Sequence, residues 1–303
     1  MDSLGTAARE GVVLREANGW GTLVVTGPDR RRWLNGLITS DVASLGPNGG
    51  AWGLLLNRLG KIQSELWTID APERLLVATA PGTLERVHTE LDRMLIMEDA
   101  ELEPLAETTW LTLHGPRAVA QATALSAQHG GDFGALDWTG LGGAALSVPS
   151  TALTAIRSEH ADVLLDDEAW RRLRLERALP ELGVDFGDQD RPHEAALERR
   201  AVSWSKGCYL GQEVVCMQDM RGKVKRSVRV LAVEAAPDVA WAEPLTLLDA
   251  EGRAAGTPTS RAYSARASAW LFMAQLRLDA ADGALWLRSG DDARREARLA
   301  PLF

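Results

Sequence analysis

Cysteine and tyrosine each occur only twice in 303 residues, and one of each stands side by side in Ser205-Lys206-Gly207-Cys208-Tyr209-Leu210-Gly211-Gln212-Glu213. A thiol is a nucleophile only as the thiolate, and a cation such as Lys206, or the amides that open a helix, lowers its pKa. If Gln212-Glu213-Val214-Val215 opens a helix, Cys208 lies just before its positive end. Gly207 and Gly211 bracket the pair, and glycine serves where a backbone takes positive φ or lets another group come close. The segment reads as a site rather than a core element. The competing reading is a small buried cysteine, a common fate of a free thiol.

The charge around this segment departs from that of the chain. The net charge is −9, yet residues 199–229 hold Arg199, Arg200, Lys206, Arg221, Lys223, Lys225, Arg226 and Arg229 against Glu213 and Asp219 alone, a local excess of six positive charges. A solvated face explains such a cluster, and so does a bound polyanion. The overall acidity argues against general nucleic-acid binding, which depends on phosphate neutralisation. Cys208 and Cys216 cannot build a disulfide framework, and no further Cys or His pair stands at metal-ligand spacing. A reducing compartment follows. No apolar run approaches the roughly 18 residues of a membrane span. With no secretory or transit signal visible at the start, the expected location is the cytoplasm.

The length calls for two or three domains. Residues 20–27 alternate as a strand and precede a helical stretch through Trp33, Leu34 and Leu37. Residues 54–56 and 62–69 are strand-like runs joined by Asn57-Arg58-Leu59-Gly60, a hairpin with glycine where a tight turn needs one. Another short strand is expected over 75–80. Leu84, Val87, Leu91 and Leu95 share one helical stripe, opened by Pro81. Further on, 110–113 reads as a strand and 118–127 as a helix, whereas 130–150 carries little periodic signal and reads as loops and short strands at an edge. Asp166-Asp167 can cap a helix from Glu168 that stops near Pro180 and Gly183. Pro192 opens another predicted helix. After Gly222, short strands and turns follow one another, which predicts a small β-barrel.

Lys206-Gly207-Cys208-Tyr209-Leu210-Gly211-Gln212-Glu213 resembles the K-G-C-Y-x-G-Q-E signature of the YgfZ-type folate-binding proteins, relatives of the glycine cleavage T-protein, an aminomethyltransferase. Further blocks similar to that superfamily run in order: Gly27-Pro28-Asp29 with Trp33-Leu34-Asn35-Gly36, then Arg174-x-Glu176 with Gly183, Pro192-His193-Glu194-Ala195, and Gly256-x-x-Thr259-Ser260. The resemblance implies an α+β protein with a two-lobed folate-binding region over 1–222, its lobes not necessarily continuous in sequence, followed by a C-terminal β-barrel over 223–303. It implies tetrahydrofolate or a reduced derivative as cofactor, and folate together with iron–sulfur assembly factors or cluster-dependent target enzymes as partners, with neither nucleic acid nor membrane among them. Cys208 occupies the place of the functional cysteine. Glu176 is expected on the pterin ring, Arg226 with its basic neighbours on the glutamate carboxylate, and Lys206, Tyr209 and Gln212 around the cofactor. A surface Glu176 paired with Arg172 or Arg177 is the alternative.

Two departures bear on activity. The T-protein branch carries an Asp on the second hairpin strand, where Ser64 stands here, followed by Glu65. Relatives place Ala-Arg after the signature, where this chain has Cys216-Met217. The expected function is an accessory protein for iron–sulfur cluster assembly or repair, with a folate-dependent aminomethyltransferase as the alternative.

Overall fold

The computed structural model describes residues 3–222, 224–290 and 293–300, so Lys223 of the basic cluster lies outside the described residues. The chain divides into two compact units, one of residues 1–166 with 199–214 and the other of residues 167–198 with 215–303.

The first unit contains α1 (Ser3–Glu10), β1 (Val13–Ala17), β2 (Gly21–Thr26), α2 (Arg30–Asn35), β3 (Gly50–Leu56), β4 (Ile62–Ala71), β5 (Arg74–Thr79), α3 (Leu84–Asp92), β6 (Glu101–Pro104), β7 (Thr108–His114), α4 (Ala118–His129), β8 (Asp132–Ala135), β9 (Gly143–Pro149) and α5 (Leu153–Glu159). Its two lobes are two antiparallel sheets, ordered β3-β4-β5-β2-β6 and β1-β7-β9-β8. On one face of the first sheet, Leu23, Val25, Leu55, Leu66 and Val77 pack with Trp33, Leu34, Val87 and Leu91 of the helices. Against the second sheet, α4 buries Ala118, Ala122 and Leu125 on Leu111, Leu113, Ala144 and Leu146. Tryptophans fill the space between the sheets: Trp67 of β4 stacks on Trp20 at 3.5 Å and meets Trp138 edge-on at 5.0 Å. Covered on both faces, β4 is buried along nearly its whole length. Its sequence is not a continuous apolar run, since Ser64, Glu65, Thr68 and Asp70 are among its buried residues.

The second unit contains α6 (Asp167–Glu176), most of α7 (Gln212–Arg221), β10 (Arg226–Val233), β11 (Leu245–Leu248), β12 (Ala254–Ser264), β13 (Ala269–Arg277), β14 (Leu285–Ser289) and β15 (Ala293–Leu299). The six strands close into a barrel in the order β10-β13-β12-β11-β14-β15. Closure leaves no strand edge open for pairing with another chain. Leu231, Val233, Leu247, Phe272, Leu276, Leu285 and Leu287 are among the residues of its core.

Two local expectations are corrected. The low-signal stretch after Gly130 contains β9, an interior strand hydrogen-bonded to β7 and β8. Its Gly143-Ala144-Ala145 start is buried on both faces, and small residues in a crowded strand give no alternation to read. The stretch opened by Pro192 is a chain of turns, not a helix. One helical bond forms, from Ala195 N–H to Arg191 O, before Ala196 turns to φ 57° and the Leu197 N–H closes back on Pro192 O. A non-glycine residue at positive φ cannot continue a right-handed helix.

Candidate functional site: a presented thiol and a buried carboxylate

In the first unit, the segment that carries Cys208 is held from both sides. Upstream, the Ser203 N–H donates to Thr39 O, and the Thr39 hydroxyl donates to Ala201 O. The Lys206 ammonium donates to Asn35 O, Ile38 O and Ser40 O, so its three N–H bonds serve the main chain where α2 ends. That end has orphan carbonyls, and a lysine satisfies them well. Burial pushes the Lys206 ammonium down to about 8, with the Asp41 carboxylate acting in the opposite direction. The ammonium also stands 5.5 Å from the centre of the buried Tyr209 ring.

Downstream, the Tyr209 carbonyl accepts the Gln212 N–H at the start of α7. Gly211 is at φ 80°, and a Cβ there would lie 2.5 Å from Asn57 O. Gly60, at φ 70°, would place its Cβ 3.1 Å from that of Val214. Signature and hairpin tip therefore meet backbone to backbone, which requires glycine at both positions. Gly207 has open space around it and no positive φ. Between these anchors Cys208 is exposed, whereas Cys216 on α7 is half-buried.

The hairpin departs from simple alternation. Leu55 pairs with Ser64 and Leu56 with Ile62, so Gln63 is an extra residue, a bulge. Ser64 lies on the Leu55 face, its hydroxyl against that of Thr83 at 2.8 Å. Glu65 pairs with Leu54 on the opposite face, where the Trp52 indole N–H donates to it at 3.1 Å. Both side chains are buried.

In the second unit, α6 sets Arg174 and Glu176 toward the barrel. Arg174 donates to Asp185 Oδ2 and to Ser260 Oγ, both at 2.5 Å, and Thr259 Oγ1 and Ser260 Oγ donate to Asp185 Oδ1 at 2.6 and 2.7 Å. A bulge at Thr259 turns both hydroxyls to one carboxylate. The Arg of the R-x-E block and the Thr-Ser of the C-terminal block thus form one network around Asp185, in which Arg174, Asp185 and Ser260 are buried and Thr259 is exposed. Sequence reasoning does not single out Asp185, which stands in one short stretch with Asp188 and Asp190; only its contact with the buried Arg174 sets it apart.

Glu176 is 5% exposed and accepts from Ser264 Oγ at 2.6 Å. Among the described residues it has no cationic partner, and the pairing with Arg172 or Arg177 does not occur. Arg226 is half-exposed and pairs with Asp190 at 2.9 Å. Nearby, His193 Nε2 lies 3.2 Å from Asp219. The basic cluster splits by role: Lys206 serves the main chain, Arg226 an ion pair, and Arg229 Ser227 and Val228 O.

Residues 5–154 match the family model described as GCVT N-terminal domain. The tRNA-modifying protein YgfZ of Yersinia pestis (strain Pestoides F) is 26% identical, over 93% of this chain and 89% of its own length. That of Cronobacter sakazakii (strain ATCC BAA-894) is 26% identical over 75% and 73%. The glycine cleavage system aminomethyltransferase T of Bartonella henselae has the same fold, with a TM-score of 0.80 at 19% identity over 99% of this chain and 88% of that one. With its signature cysteine, its paired sheets and its terminal barrel, the chain is similar in sequence to the YgfZ proteins, matches the GCVT N-terminal domain over residues 5–154 and has the fold of the glycine cleavage T-protein.

Proposed function

We propose that this chain is a cytoplasmic tetrahydrofolate-binding protein that supports iron–sulfur cluster assembly or repair in target enzymes, with Cys208 as its functional thiol. The observation that carries the folate reading is Glu176, a buried carboxylate whose protein partner is a neutral hydroxyl. An ionised carboxylate without a counter-charge is costly to bury. A pterin offers an amino group beside a ring N–H, two donors that fit one carboxylate and supply what the protein does not. Arg226 suits the glutamate carboxylate, because exchanging an exposed pair with Asp190 for a ligand costs little. Lys206, Tyr209 and Gln212, expected around the cofactor, act in this reading by fixing the segment that presents the thiol.

An exposed thiol on a fixed segment suits direct work on a partner's surface. We attribute the tRNA modification in the relatives' name to the enzymes served, since a chain of net charge −9 is poorly suited to binding RNA itself. The aminomethyltransferase alternative draws on Glu65, a buried carboxylate one residue from the hairpin position, but Ser64 stands at that position and Glu65 is on the other face. No methylenetetrahydrofolate is expected when the protein is given tetrahydrofolate and an aminomethylated lipoyl carrier.

Tryptophan fluorescence titrated with tetrahydrofolate tests the binding step. Glu176→Ala is expected to weaken affinity by about 1.5–3 kcal/mol, and unchanged affinity overturns the pterin assignment. Cys208→Ser is expected to keep folate affinity while failing to restore cluster-dependent enzyme activity in a deletion strain; full rescue overturns the thiol's role.

A further inference from the structure

The hairpin tip and the loop after α3 together make a surface that the folate reading does not use. A pocket of about 400 Å³ lies there, with Leu37, Leu55, Leu91, Met94 and Leu210 among its apolar walls and Arg58 at its mouth. Its apolar surroundings continue outside the cavity. Leu59 on the hairpin tip, itself part of the lining, is 62% exposed, and just beyond Met94 in the chain Ile96 and Met97 are 80% and 91% exposed. These two are not on a loose strand of chain: the Glu98 carboxylate accepts the N–H groups of both Ile96 and Met97, a turn that fixes the backbone and leaves both side chains in water. Those amide bonds hold the Glu98 carboxyl below its usual range. Large apolar side chains set outward on an ordered turn beside an apolar pocket mark an interaction surface.

We propose that this face docks a polypeptide partner that inserts an apolar side chain into the pocket and sets a carboxylate beside Arg58. A small molecule filling the cavity would leave Ile96 and Met97 in water, whereas a peptide laid across the mouth covers them. Charge gives the second half of the match. Arg58 is exposed and has no ion-pair partner among the described residues, while Glu90 at the pocket is tied to Arg93 at 3.0 Å. The two methionines, unbranched and polarisable, suit a surface that adapts to its guest. Leu210 puts one wall two residues from Cys208, so a partner docked here is brought beside the thiol. The inference does not depend on folate being the ligand of Glu176.

The test selects a displayed library of random short peptides on the immobilised full chain and measures the selected peptides in solution by fluorescence polarisation. Peptides with an apolar anchor next to Asp or Glu are expected. Their affinity should fall at least about tenfold in the Ile96→Ser/Met97→Ser double variant and about fivefold in Arg58→Glu, in the range that loss of single interface contacts gives. All three positions are exposed, and unchanged thermal unfolding verifies that the variants fold. Selected peptides indifferent to these substitutions overturn the proposal. Saturable binding of sodium octanoate that displaces the peptides assigns the pocket to a small amphiphile instead. Concentration-dependent dimerisation lost in the double variant assigns the face to a second copy of the chain.

Discussion

Lys206 shows how a signature residue can act through position rather than contact. Its ammonium joins the segment before Cys208 to three carbonyls at the end of α2, and burial lowers it to about 8. Replacement by Met removes three donors from a half-buried site and is expected to cost roughly 2–4 kcal/mol in urea unfolding. The pH dependence has a definite sign. A base whose folded-state pKa lies below its unfolded value leaves the unfolded chain holding more protons between the two, so its contribution to stability rises with pH in that window. The gap between the parent protein and Lys206→Met should widen from about pH 8 toward the ordinary lysine value; a gap that narrows contradicts the burial described. Glu176 is the complementary case, a buried carboxyl group whose hydrogen-bond partner is the Ser264 hydroxyl.

Elements meet at the hairpin tip, and the two glycines there are not equivalent to the one beside the thiol. Gly211→Ala combines positive φ with a Cβ 2.5 Å from a carbonyl oxygen; it is expected to destabilise by roughly 2–3 kcal/mol and to speed labelling of Cys208. Gly207→Ala meets open space and should stay within about 0.5 kcal/mol. Equal effects of the two would refute the contact. At this scale the sequence was legible where a pattern had one cause. The hairpin, the α3 stripe and the barrel strands follow from period and turn chemistry. Strand β9 was hidden because Gly-Ala-Ala fits any buried backbone, and the Pro192 stretch misled because a proline start says nothing about where a helix stops. Of the site, Cys208 on its helix-opening segment could be read directly. The exposure of Cys208 could not, nor could the Asp185 network, because both depend on contacts between distant segments.

The whole molecule has two compact units, each with its own apolar core, and its polar interior governs its response to acid. His114 is fully buried, with Nε2 3.0 Å from Thr112 Oγ1, and burial, aided by Arg15, pushes it down to about 3. An unfolded histidine takes its proton near 6.5, while the folded ring does so only near 3. Its contribution to stability is therefore present above 6.5 and is lost as pH falls through that window. His114→Gln should flatten the loss of stability in urea unfolding between about pH 6 and 4; an unchanged slope would remove this histidine from the account. The layer between the sheets has an optical consequence. Trp20 and Trp67 lie face to face at 3.5 Å, with planes 20° apart. Indoles that close share their excited states, so the first unit should show a far-ultraviolet exciton couplet in circular dichroism that Trp20→Phe abolishes. That couplet reports whether Trp20, just before β2, stays packed on β4 of the same sheet, and tracking it during unfolding shows when that packing is lost.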